Sequence, residues 1–95
     1  MSNVIPGAVA ALNEKLGGFA DGTAKFVIKD EGSIMVDSEG ARAGDEEADV
    51  TLTASRETFE GLLDGSVNPT MAYMSGKLGI DGNIGLAMKL GSALS

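Results

Sequence analysis

A chain of 95 residues, 43% of them apolar, with a net charge of −7, suits one small globular domain with a modest core. It contains no cysteine, which excludes disulfides, thiolate catalysis and Cys-bound metals, and no histidine, which removes the commonest general base and metal ligand. The acidic balance and the scattering of the 7 basic residues oppose a nucleic-acid partner and strong binding to an anionic membrane.

The opening MSNVIPGAVAALNEKLGG lacks a basic stretch and soon carries Glu14 and Lys15, so it is not read as a signal peptide. It predicts a helix from Val4 to Leu16. Pro6 sits in the first turn, Ile5, Val9, Leu12 and Leu16 form one apolar stripe, and Gly17-Gly18 ends the helix. That stripe suits packing on a sheet. A membrane-touching helix is the sharper reading, weakened by a polar face poor in Lys and Arg.

Three segments then alternate with period two. In TAKFVIK (23–29), Ala24, Phe26 and Ile28 share a face; in SIMVD (33–37), Ile34 and Val36 do; in ADVTLTA (48–54), Val50, Leu52 and Ala54 do. GARAG (40–44) is a candidate short strand. Such alternation predicts a sheet with one covered and one wet face, and helices on the covered side. RETFEGLLDG then reads as a helix with Ser55 as N-cap and Gly65 beyond its end. Asn68-Pro69 starts a short helix, KLGID (77–81) alternates again with Leu78 and Ile80 inward, and Asn83 caps a final helix over about 84–94. The length between Leu52 and Lys77 can carry a crossover, so a parallel pairing of these two strands is possible, giving a mixed sheet.

The segment GKLGIDGNIGLAMKL (76–90) carries glycine at every third position from Gly76 to Gly85. That spacing matches neither a dinucleotide fingerprint nor a P-loop. Asp45, Glu46 and Glu47 do not follow a calcium-loop spacing and read as a solvated connection, and Ser33, Ser55 and Ser75 have no histidine to activate them. The final helix is apolar on two sides, with Ile84, Ala87, Met88 and Gly91 on one and Leu86, Leu90 and Ala93 on the other. A surface helix needs only one apolar stripe. Met71, Met74 and Met88 add flexible apolar side chains that suit either an irregular core or an adaptable binding surface.

Residues 48–90, with Asn68-Pro69, Gly76-Lys77-Leu78, Gly82 and Gly85 through Leu90 as the matching motifs, resemble the sterol carrier protein 2 domain family. The likeness extends more loosely over nearly the whole chain. It implies an α/β fold with a five-stranded mixed, mostly antiparallel sheet, helices on one face and an apolar tunnel between. It also implies non-catalytic binding, and transfer, of lipids such as fatty acids, fatty acyl-CoA, phospholipids or sterols, with no cofactor and no metal. The lining positions it carries over are Phe59, Leu62, Met71, Met74 and Leu78, followed by Ile80, Ile84, Leu86, Met88 and Leu90. The departures are Gly79, where the family usually has a charged or polar residue, few tunnel aromatics, with Tyr73 alone beside the short helix, and an acidic charge. The terminus Ala93-Leu94-Ser95 is not a peroxisomal address, and a bacterial-type cytoplasmic protein is expected. The alternative is an interaction or enzyme-accessory module, including a homodimer, built on the apolar last helix.

Overall fold

Strand alternation and helix caps set the elements of the computed structural model, which describes residues 4–94 with the side chain of Val4 outside the described part. Ser95, the last residue of the terminus discussed above, also lies outside it. The order is α1 (Val4–Leu16), β1 (Ala24–Ile28), β2 (Gly32–Asp37), β3 (Gly40–Ala43), β4 (Val50–Ala54), α2 (Arg56–Asp64), α3 (Pro69–Met74), β5 (Leu78–Gly82) and α4 (Ile84–Leu94). The strands form one five-stranded mixed sheet, ordered β3-β2-β1-β4-β5.

The expected mixed sheet is present, but its parallel pair is β1 with β4, whereas β4 and β5 run antiparallel with Leu52 opposite Ile80. The parallel β4–β5 pairing that the connection length allows is therefore not the one the chain adopts. Chain length between two strands permits either direction; here α2 and α3 together return the chain to the end of β4 that it left, and Ala54 lies opposite Leu78. The crossover that the β1–β4 pair requires is made by β2, β3 and the segment 44–49.

That segment passes over the outer face of the sheet. Met35 faces outward between Lys25 and Arg42, yet it is fully buried, because the Glu46 amide donates to its sulfur at 3.4 Å. Lys25 Nζ meets Asp45 at 2.9 Å, and Arg42 bridges Asp37 at 2.6 Å and Glu46 at 3.3 Å. Exposed pairs of this kind contribute about 0–1 kcal/mol each, so they orient the strap more than they stabilise the fold. Asp49 closes the strap: its carboxylate accepts from the Thr23 amide at 3.0 Å and its carbonyl from the Asn83 amide at 3.0 Å.

The inner face carries Ala24, Phe26 and Ile28 of β1, flanked in register by Ile34 and Val36 on one side and by Val50, Leu52 and Ala54 on the other. All of these are buried. The stripe of α1 is used here. Ala8 and Leu12 are buried, and Ile5, Val9 and Leu16 pack against the same core, so the membrane-touching reading of α1 has no free apolar face to rest on. Asn13 also covers the outer edge of β3, its amide accepting from the Ala41 N–H at 2.8 Å and donating to the Ala41 carbonyl at 3.0 Å. An edge strand left bare pairs with other chains, and this bidentate contact blocks that. Phe59 of α2 meets Phe26 edge-on, with ring centroids 5.3 Å apart, and joins the helical layer to the sheet centre.

Two glycines of β5 separate conformational need from mere tolerance. Gly82 has φ 103°, and a Cβ there would stand 2.5 Å from the Asp49 carbonyl. Gly79 has no positive φ, and a Cβ would meet Thr53 at an ordinary 3.7 Å. Gly79→Ala is expected to raise stability by about 0.4–1 kcal/mol, and Gly82→Ala to lower it by more than that, both read from urea unfolding midpoints.

Candidate ligand-binding site

The site is assembled from helix ends. Ser55, with φ −71° and ψ 162°, caps α2: its Oγ accepts from the Thr58 amide at 3.2 Å and donates to Thr58 Oγ1 at 3.1 Å. This satisfies Thr58, the buried polar side chain of the helix. Gly65 ends α2 in the left-handed region at φ 85°. The turn that follows is tied by the Ser66 amide to Asp64 Oδ1 at 2.8 Å and by the Val67 amide to the Gly61 carbonyl at 3.0 Å. Gly61 must lack a side chain, since Val67 occupies the space of a Cβ. Asn68 Oδ1 then accepts from the Met71 amide at 3.1 Å and Pro69 opens α3, the cap and start that the sequence predicts.

Between α2 and α3 lies an open groove of about 840 Å³. Thr58, Val67 and Ala72 are buried or half-buried at its base, while Glu57, Ser66, Asn68, Ser75 and Lys77 are exposed around it, with Met71 among them. A second, smaller cleft of about 160 Å³ separates the start of α3, at Pro69 and Thr70, from Ala87, Met88 and Gly91 of α4. The six-residue α3 thus stands as a wall with a hollow on each side. Its own anchor in the core is Ala72.

The ten predicted lining residues fall into three groups. Phe59, Leu62, Leu78 and Leu90 are buried in the core, and Ile80 and Leu86 pack against that core half-buried. Met71, Met74, Ile84 and Met88 face outward, with Met71 68% and Met74 79% exposed. Of these, Met71 lines the groove and Met88 the smaller cleft. The remaining groove residues carry no lining signal in the sequence, because Ser55, Asn68 and Gly65-Ser66 carry cap and turn signals that hide a second role. Tyr73, the aromatic of α3, is also exposed. Among the described residues no three acidic side chains converge as a metal site, and no helix is long and apolar enough to cross a membrane.

The model of the SCP-2 sterol transfer family matches residues 7–95. The chain belongs to that family. The hydroxysteroid dehydrogenase-like protein 2 of Rattus norvegicus is 44% identical over 68 residues, which is 65% of this chain and 13% of that protein. Sterol carrier protein 2 of Homo sapiens is 44% identical over 59 residues, which is 62% of this chain and 10% of that one. The chain therefore spans a small fraction of these curated relatives. Among solved structures, sterol carrier protein 2 of Aedes aegypti, in complex with the C16 fatty acid palmitate, superposes with TM-score 0.76 at 19% identity, covering 100% of both chains.

Asn68→Ala removes the α3 cap and is expected to cost about 0.5–2 kcal/mol, with faster amide exchange across 69–76 than elsewhere. Asp64 is held below its ordinary value of 3.8 by hydrogen bonds from the Ser66 hydroxyl and amide. A depressed carboxylate stabilises the fold above the unfolded value, and this stability is lost as pH falls through the lower folded value. Asp64→Asn should therefore remove part of the stability measured at pH 7 and flatten its decline below pH 3.8.

Proposed function

We propose that the protein binds, and carries between donors and acceptors, a lipid with one long acyl chain, and catalyses nothing. The observation that carries this reading is the groove beside α3, whose volume of about 840 Å³ falls in the range of ligand sites. Its layout suits an amphiphile. Val67 and Ala72 at the base offer an apolar floor, and Ser66, Ser75 and Lys77 around it offer hydrogen bonds to a polar head. The acyl chain would run beneath α3, along Leu62, Leu78 and Leu90, toward the cleft at Met88. Family membership and the fatty-acid complex of the Aedes aegypti relative support the ligand class. The chain has neither histidine nor cysteine, so binding without chemistry accounts for what the site contains. An acidic, cysteine-free chain is consistent with work in the cytoplasm.

Native mass spectrometry of gently purified protein, followed by organic extraction, tests the reading directly: a stoichiometric adduct of one lipid class is expected. Saturating palmitate or its CoA ester at a hundredfold over Kd should also add about 2.7 kcal/mol of stability. No adduct and no stabilisation would reject it. Met88→Ala, which widens the end of the path, is expected to shift preference toward longer chains across a fatty-acid length series; an unchanged profile would remove Met88 from that path.

A further inference from the structure

All five large apolar side chains exposed among the described residues, Met71, Tyr73, Met74, Ile84 and Met88, come from α3 and the first half of α4. Met71 and Met74 are three residues apart and share one side of α3; Ile84 and Met88 are four apart and share one side of α4. The two helices meet where Gly91 lies so close to Pro69 that an added Cβ would stand 3.1 Å from its ring. No charged side chain occurs from Gly65 to Gly76 or from Gly82 to Met88, in a chain whose net charge is −7. The apolar surface and the charge are thus segregated. Scattered exposed apolar residues need no explanation, but their confinement to one uncharged pair of helices marks an interaction surface.

We propose that this face docks on an uncharged lipid surface, a zwitterionic phosphatidylcholine interface, and that cargo enters the adjacent groove there. The occupant follows from charge and from continuity. A zwitterionic surface has no net charge to repel the acidic body, and the face offers it no charge of its own, whereas an anionic surface repels the whole molecule. Met71 belongs both to the face and to the groove, so a lipid leaving the interface reaches the site without crossing water, where each bare methylene is penalised. The apolar stripe of α1 is already committed to the core, so α3 and α4 are the apolar helical surface left. The inference rests on the lipid-carrier reading above.

The test is flotation of the full chain with vesicles of phosphatidylcholine alone, or with added phosphatidylglycerol, at low and high salt. Binding to phosphatidylcholine vesicles is expected to be insensitive to salt. Binding to the anionic vesicles should be weaker at low salt and recover as salt screens the repulsion. Met74→Asp should reduce flotation at least about tenfold and Met74→Leu should retain it, with melting temperature as the control on folding. Failure of the wild-type chain to float, equal flotation of Met74→Asp, or preference for anionic vesicles at low salt would overturn the proposal. So would a dimer in sedimentation that Met74→Asp dissociates, since a second copy would then cover the face. Uptake of monomeric palmitate by the wild-type chain without vesicles separates the two readings. Uptake without flotation sinks the docking surface alone, and absence of uptake sinks the carrier reading.

Discussion

The parallel pairing of β1 with β4 at the centre of the sheet joins two antiparallel halves, one ending at β3 and the other at β5. Phe26 sits at this seam, opposite Ile34 on one side and Leu52 on the other, with the ring of Phe59 edge-on above it. Parallel neighbours need a connection that brings the chain back to its starting end. Here β2, β3 and the strap 44–49 supply it, across the outer face. The crossover consumes no helix. All four helices remain available for the inner face, where the alternating strands present their apolar side chains.

The helical layer over β4 and β5 follows from that arrangement. Because β5 returns antiparallel to β4, α2 and α3 must both fit within the connection between them. The result is a six-residue α3, too short to bring a core of its own. Side-chain caps hold it at Asn68 and Ser75, and Ala72 is its buried apolar contact. A cap contributes about 1 kcal/mol. Fully burying a methionine contributes about 1.5–3 kcal/mol. Met71 and Met74 forgo that gain, so α3 is the least anchored helix of the layer and lies between two hollows. Low local stability of this kind lets α3 open more readily than the rest of the layer.

Much of this was legible in the sequence, and the reason differs from element to element. Ser55, Gly65, Asn68-Pro69 and Asn83 fix helix ends through local hydrogen bonds, which depend on neighbours in the chain alone. Period-two alternation gave β1, β2, β4 and β5 their inner faces for the same reason. Strand direction was not legible, because a connection of sufficient length permits a parallel partner without selecting one; β4 takes β1 as its parallel neighbour on one edge and β5 as its antiparallel neighbour on the other. Met35 shows the same limit. Its alternation places it on the outer face, where it is, but its burial depends on a strap that passes over it from the far edge of the sheet. The lining positions carried over from the family were found split between buried core and exposed surface, because residue type does not distinguish a methionine beside a hollow from one facing water. Ser55 and Asn68 carry helix-cap signals, and they are caps. Their second role appears only when α2 and α3 are placed side by side.

The coupling of site and core has a further consequence for so small a chain. Phe59, Leu62, Leu78 and Leu90 belong to the filled core in this state, and all four are at most 3% exposed. A domain of this size has a modest core, so an acyl chain entering there would not occupy spare volume but substitute for protein contacts. Outward movement of α3 would give up the contact of Ala72 and the ties at its two ends, while each buried methylene of the ligand would return about 0.8 kcal/mol. The longer the acyl chain, the more of that loss it offsets. Under the carrier reading, discrimination by chain length then needs no shaped pocket wall; it arises from the fixed cost of opening α3 set against a gain that grows with every carbon.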